Sequence, residues 1–293
     1  MKIKILEDSP EIKIEYLEYL KKWNKLFWFH NDCLNTEIEA IIIRSWIKAD
    51  RKLLWEYKNL KYVMRVGVWL DNIDIEECKK RDIKVINTPW ANADSVADLV
   101  VGWILNLTRK LNYGYEWIEN RFAYMWPSIS WKTVSIFWFW NIWKKVYSRL
   151  KGFWIKEFLI YDPFLSKEEI EKFNLCKKVE DKKELFKNAD IISFHLPLFD
   201  STRNFLWQKE MKNLKKDVII VNTSRWWIIN ENKLIDFLIK YPNTYYFADV
   251  WEEEPADPKI ELLELDNVLI TPHIWAMTFE AEEKMHFFEL NKD

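Results

Sequence analysis

Glycine is nearly missing: the chain has four in 293 residues, where ordinary usage of about 7% would supply roughly 20. So few leave almost no residue free to take a left-handed backbone or to let a ligand approach the main chain closely. Cysteine is scarce too. Cys33, Cys78 and Cys176 are far apart and odd in number, which argues against a disulfide frame or a cysteine-built metal site and for reduced thiols. No charge of one sign dominates: 44 basic residues face 46 acidic ones for a net charge of −2, with the signs interspersed. That excludes the footprint of a nucleic-acid or membrane-surface protein. No apolar run approaches the ~18 residues of a membrane helix. The opening MKIKILED reads as a first strand and lacks the apolar run and cleavage site of a secretory signal. These absences predict a soluble cytoplasmic protein of one or two domains with no bound metal.

What is abundant is tryptophan, with 19 residues, and it stands where glycine is wanted. Residues 133–146 read TVSIFWFWNIWKKV, an apolar run leading into a helical pattern. With glycine at Trp138, Trp140 and Trp143 the segment becomes G-x-G-x-x-G. That is the turn which lets a pyrophosphate approach the backbone at the positive end of a helix. An indole would fill the phosphate volume. Glycine and tryptophan together come close to the expected glycine content. A UGA codon read as glycine in the source organism, and written as tryptophan on translation, would produce this one replacement and no other. Asp162 ends the next apolar run, 22 residues after Trp140, where an acidic side chain accepts the ribose hydroxyls and disfavours a 2′-phosphate. NAD is therefore the expected cofactor.

Short β-branched runs alternate with amphipathic stretches along the chain, the pattern of an α/β fold with a mainly parallel sheet. Strands are predicted at 2–6, 26–29, 40–43, 62–66 and 84–86. A second series falls at 133–137, 157–161, 191–195, 218–222, 245–249 and 268–271. A long helix is predicted from Asn92 to about residue 112, and a final one over 279–290. Two doubly wound, Rossmann-like domains follow: a flavodoxin-like substrate lobe over 1–96, completed by 277–293, and an NAD-binding domain over 97–276.

Several further segments come in a fixed order: RSW from Arg44, RVGVWLDNID from Arg65, INTPWANADSVADL from Ile86, HLPLFDSTRN from His195, VNTSRWWIIN from Val221, ADVWEEEP from Ala248 and TPHIWAMT from Thr271. With the glycines restored, the chain resembles the D-isomer-specific 2-hydroxyacid dehydrogenases over nearly its whole length, and within them the phosphoglycerate dehydrogenase branch. The resemblance implies that His273 exchanges a proton with the substrate oxygen, that Glu254 orients His273 and favours its charged form, and that Arg225 grips the substrate carboxylate. It places Asn141 and Ile142 beside the pyrophosphate, Thr223, Ser224 and Arg225 along the nicotinamide ribose, and Asp249 near the nicotinamide amide. Pro197 would flank the adenosine, while Ile274, Trp275 and Ala276 would close the nicotinamide end. In the substrate lobe, Val68 and Trp69 would offer backbone N–H groups to the carboxylate. Arg44 and Arg65 would face a phosphate.

The implied reaction is oxidation of 3-phosphoglycerate to 3-phosphohydroxypyruvate, the first step towards serine, by a homodimer. A glyoxylate or hydroxypyruvate reductase, and a catalytically inactive homologue serving as a binding protein, remain open. By the same comparison Trp46, Trp69, Trp90, Trp131, Trp138, Trp140, Trp143, Trp154, Trp207, Trp226, Trp227 and Trp275 occupy glycine positions, whereas Trp251 belongs where it is. Trp23, Trp28, Trp55, Trp103, Trp117 and Trp126 stay unassigned.

Overall fold

The structure, a computed structural model, describes residues 2–6, 28–29, 34–44, 47–111, 127–138, 141–252 and 259–286. The chain divides into two compact units, residues 1–92 with 278–293, and residues 93–277.

In the first unit five parallel strands, β1 (Lys2–Ile5), β2 (Trp28–Phe29), β3 (Ala40–Ile43), β4 (Tyr62–Arg65) and β5 (Lys84–Asn87), stand in the order β2-β1-β3-β4-β5. That is the flavodoxin-like order. The β3 sequence AIII is buried throughout, as a strand covered on both faces must be. Ile41, Ile43, Leu54, Tyr57 and Val63 form the core on one side.

The second unit holds seven strands: β6 (Thr133–Phe137), β7 (Glu157–Tyr161), β8 (Cys176–Lys178), β9 (Ile191–Phe194), β10 (Ile219–Asn222), β11 (Tyr245–Ala248) and β12 (Val268–Ile270). Their order is β12-β11-β10-β9-β6-β7-β8, the doubly wound arrangement. Alternate residues feed opposite faces. Ile219, Val221, Tyr245 and Phe247 join one core; Ile220, Tyr246 and Ala248 join the other. Strand β8 has no counterpart among the strands predicted from sequence, because CKK carries too little apolar periodicity to announce it.

The predicted long helix spans Ala93–Arg109 and buries Val96, Ala97, Val100, Ile104 and Leu107 along one stripe, the i, i+4 spacing of an amphipathic helix. Its Trp103 stacks on Phe247 at 4.6 Å. The last described helix is Phe279–His286. No helix among the described residues is long and apolar enough to cross a membrane.

Candidate active site

The register brings the candidate residues to one edge of the second sheet. Phe137 pairs with both Tyr161 and Phe194. Asn222 pairs with Phe194 and Ala248, and Ala248 with Ile270. These residues form one row, so the next residue of each strand, Trp138, Asp162, His195, Thr223, Asp249 and Thr271, leaves the sheet at its carboxyl edge. The strand order reverses at β6, which makes this edge the topological switch point where open α/β sheets bind ligands.

The first candidates follow β6. Trp138 has φ +72°, its N–H donates to the Tyr161 carbonyl at 2.9 Å, and its indole is buried edge-on against Phe164 at 5.2 Å. Trp140 lies outside the described residues. Asn141 and Ile142 are the first residues of the helix Asn141–Leu150, whose N-terminus carries free N–H groups and positive partial charge. Trp143, fully buried, packs on Phe173 at 5.6 Å. Asp162 is buried, and its Oδ1 accepts from Phe164 N at 2.7 Å and Leu165 N at 3.0 Å. Position 138, at φ +72°, has a backbone conformation that glycine takes freely, which fits the residue that the resemblance asks for where a pyrophosphate nears a helix N-terminus.

Backbone geometry separates the tryptophans. Trp90, Trp131, Trp138 and Trp154 all have φ between 59° and 76°, a region costing a non-glycine residue roughly 1–2 kcal/mol. All four are among the glycine positions assigned from sequence. Trp131 and Trp154 also leave their indoles 73% and 75% exposed. Trp275 buries an indole N–H that has no hydrogen-bond partner. Trp251 and the unassigned Trp55 behave differently: neither has a positive φ, and each donates its indole N–H, to Thr271 O at 2.9 Å and Glu77 Oε1 at 2.7 Å respectively.

Beyond β10, Asn222 organises the loop. Its Oδ1 accepts from Ser224 N at 3.1 Å and Ser224 Oγ at 2.7 Å, and its Nδ2 donates to Arg225 O at 3.0 Å. Arg225 is half-buried and its Nη1 donates to Ser224 O at 2.9 Å. Thr223 is buried with an unpartnered hydroxyl. Trp226 is buried and stacks on Trp251 at 6.5 Å, whereas Trp227 is 38% exposed under Arg203. Asn222 was not singled out from sequence. A buried polar residue at a strand end was the signal for it.

Beyond β12, His273 is half-buried with φ +57°, and Ile274 is exposed while Trp275 is buried and Ala276 half-buried. Glu254 lies outside the described residues. Asp249, wholly buried, accepts from Thr271 Oγ1, Ile274 N and Trp275 N. Its burial pushes the carboxyl up, opposed by the Thr271 and Ile274 hydrogen bonds.

After β9, Pro197 is buried and its carbonyl accepts from Thr202 Oγ1 at 2.6 Å. His195 and Ser193 are both buried and their side chains meet at 2.9 Å. Burial pushes the His195 imidazole down to about 3. Its unfolded value is near 6.5, so between about pH 6.5 and 3 the unfolded chain binds a proton that the folded one does not. Stability should fall by about 1.4 kcal/mol per pH unit as pH drops through that window. Urea unfolding at pH 7 and pH 5.5 checks this, and His195→Gln should flatten the dependence.

In the first unit, Arg44 follows β3 and Arg65 ends β4. Neither is solvated. Arg44 Nη2 contacts both Glu282 oxygens at 2.6 Å, and Arg65, 2% exposed, lays Nη1 on the Val66 carbonyl. Gly67, with φ +128°, gives that guanidinium its room: a Cβ there would sit 1.5 Å from Arg65 Nη1. Val68 and Trp69 are half-buried in the following loop. Thr88 Oγ1 accepts from Gly67 N at 3.0 Å, and Asn87 Nδ2 donates to Val68 O at 2.6 Å, pinning that loop. Glu282, Asn87 and Thr88 were not identified from sequence, because each acts through a partner distant along the chain. Cys78 and Cys176 are buried, with desolvation raising their thiols to about 11 and about 12, so neither is an ionised nucleophile near neutrality.

A parallel sheet whose order reverses at β6, a helix N-terminus soon after that strand and an acidic residue just past β7 are the features of a dinucleotide-binding fold. Residues 101–274 match the family model for the D-isomer specific 2-hydroxyacid dehydrogenase NAD binding domain. The chain is 36% identical over 255 residues to a hydroxypyruvate reductase of Thermotoga maritima, covering 85% of this chain and 81% of that one. It is 33% identical over 294 residues to a D-3-phosphoglycerate dehydrogenase of Methanocaldococcus jannaschii, covering 96% of this chain but about half (52%) of the relative. An NAD-dependent formate dehydrogenase structure from Staphylococcus aureus, in complex with NAD, is 25% identical with a TM-score of 0.79, over 98% of this chain and 92% of that one. The chain belongs to the D-isomer specific 2-hydroxyacid dehydrogenases, enzymes that use NAD.

Proposed function

We propose that the protein interconverts a D-2-hydroxy acid and its 2-oxo acid, with His273 as the acid/base and Arg225 as the carboxylate grip. The observation that carries this is the single sheet edge that gathers the β6 turn, Asp162, the Arg225 loop and the His273 turn. Residues at the end of β6 and Asp162 would hold the pyrophosphate and a ribose of bound NAD, whose nicotinamide would supply the hydride acceptor between the Arg225 and His273 segments. Arg225 would draw charge towards the substrate carboxylate and polarise the oxygen at C2. His273 would take the hydroxyl proton in one direction and return it in the other, with Glu254 favouring the imidazolium. A spectrophotometric assay of NADH formation and consumption with 3-phosphoglycerate, hydroxypyruvate and glyoxylate tests the reading. No turnover of any of them would count against it. Asp162→Ala should erode the preference for NAD over NADP, seen as a change in the ratio of kcat/KM values, because the carboxylate repels a 2′-phosphate.

The polypeptide made in its native source, on this reading, has glycine at the twelve assigned tryptophan positions, Trp138, Trp140 and Trp143 included. The support is the coincidence of two sorts: sequence position selects those tryptophans, and φ between 59° and 76° singles out four from the same group.

The finer substrate is 3-phosphoglycerate, supported by arginines at the carboxyl ends of adjacent strands β3 and β4. One observation favours an unphosphorylated acid instead: the Arg44 charge is already matched by Glu282 at 2.6 Å. Glu282→Gln separates the two. If Glu282 holds Arg44 against a phosphate, the variant should raise kcat/KM for 3-phosphoglycerate relative to glycerate by about tenfold, or ~1.4 kcal/mol. An unchanged ratio would remove Arg44 from substrate selection.

A further inference from the structure

Strands β3 and β4 run side by side up to the pair Ile43 and Arg65, and Val66 N still donates to Ile43 O at 2.9 Å. Two segments then leave the sheet. One begins at Arg44; the other runs through Gly67, Val68 and Trp69. They meet again at a parallel bridge between Ala49 and Ile73. There Ala49 N donates to Asn72 O at 2.8 Å, and Asp74 N to Ala49 O at 3.0 Å. Asn72, half-buried, stands just before this bridge, and its side chain reaches back to the other segment. Its Nδ2 donates to Arg44 O at 2.8 Å and to Ile47 O at 2.7 Å.

Only the NH2 end of an amide can face two carbonyls, so the orientation of Asn72 follows from its partners. Both of its hydrogens hold the stretch 44–47, one at each end. The segment carrying Val68 and Trp69 has fastenings of its own at the end of β5. Asn87 Nδ2 donates to Val68 O at 2.6 Å, Thr88 Oγ1 accepts from Gly67 N at 3.0 Å, and Thr88 N donates to Gly67 O at 3.0 Å. Arg44 is thus held in two ways. Asn72 fixes its backbone, while its guanidinium ends on the Glu282 carboxylate, an anion that another anion can replace.

We propose that Asn72 is a specificity-determining positioning residue. By tying residues 44 and 47 to the segment that carries Val68 and Trp69, it sets the span from the carboxylate-binding N–H groups to Arg44. A fixed span selects 2-hydroxy acids that carry a second anionic group at the far end. This rests on the proposed roles of Arg44 and of the 68–69 backbone. A short acid such as glycerate uses only the segment fastened by Asn87 and Thr88, so it is indifferent to Asn72.

The test is Asn72→Ala, with Asn72→Ser as a milder variant and Arg44→Ala as the reference, in protein carrying glycine at the twelve assigned positions. Two readouts are taken: kcat/KM for 3-phosphoglycerate and for glycerate, and amide hydrogen exchange at Ala49 and Asp74. Asn72→Ala should lower kcat/KM for 3-phosphoglycerate by about 10–100-fold, the scale of loss when a binding group is misplaced by ~1 Å. The loss should fall on KM with kcat kept, and glycerate should stay within about threefold. Exchange at both amides should accelerate while the strands stay protected. Asn72→Ser should move each readout the same way by less. Added to Arg44→Ala, Asn72→Ala should change the ratio of the two substrates no further, since both act through one contact. Equal losses on both substrates would overturn the proposal and leave Asn72 a structural residue. Unchanged exchange, or a further fall of the ratio in the double variant, would overturn it too. Should Arg44→Ala itself leave the ratio unchanged, the phosphorylated-substrate reading fails and the selection with it, while exchange still decides whether Asn72 joins the two segments.

Discussion

His273→Asn should abolish most turnover: kcat falls by about 10²–10⁴-fold, the usual contribution of a positioned acid/base. Asparagine keeps some hydrogen-bonding reach and tolerates the left-handed backbone at φ +57°, so the fold and NAD binding should survive. The measurement pairs steady-state kinetics with a cofactor titration. Loss of kcat with NAD affinity unchanged assigns His273 to the chemistry. A variant that keeps its kcat would remove His273 from the proton path. A parallel loss of NAD affinity would make its role a matter of binding.

The second large effect concerns stability. Protein made with tryptophan at residues 90, 131, 138 and 154 should be less stable than protein with glycine there by about 4–8 kcal/mol, at roughly 1–2 kcal/mol for each left-handed residue. That is comparable with the whole 5–15 kcal/mol of a typical domain. The tryptophan form should therefore unfold at much lower urea or fail to accumulate folded, and should not bind NAD through an obstructed turn. Trp154 illustrates the physics. It follows the short 3₁₀ turn Lys151–Phe153 after the helix Asn141–Leu150, at φ 59° and ψ 41°, the left-handed helix-ending position that glycine fills at no steric cost. Equal stabilities of the two forms would contradict the assignment at these four residues.

Much of the fold was legible in the sequence because both sheets are parallel and buried on both faces. Their strands read as short β-branched runs such as AIII and TVSIF, and β3, β6 and β7 occupy the residues predicted for them. Strand β8 was invisible because it lies at a sheet edge beyond β7 and carries two lysines in three residues. Asp162 could be picked out by its spacing from the β6 segment, whereas His273 and Arg225 were picked out by the motifs that carry the family resemblance. The residues that hold them were not. Asn222 holds the loop by one side-chain contact to Arg225 O and two from Ser224, Asp249 accepts from a segment that begins 22 positions later, and Glu282 meets Arg44 from 238 positions away. Such partners are set by strand order and helix return, which local pattern does not encode. The arginines show the same limit: the resemblance has them face a phosphate, and nothing local announces that Arg65 lies buried against Val66 O while Arg44 pairs with Glu282.

The most direct measurement is the mass of the tryptic peptide spanning residues 133–144 in protein purified from its native source. Glycine at residues 138, 140 and 143 is the expected result. It would open the β6 turn to a pyrophosphate and join the proposed chemistry to the family in one polypeptide. Tryptophan at those positions would contradict it, leaving a chain whose cofactor turn is filled by its own side chains.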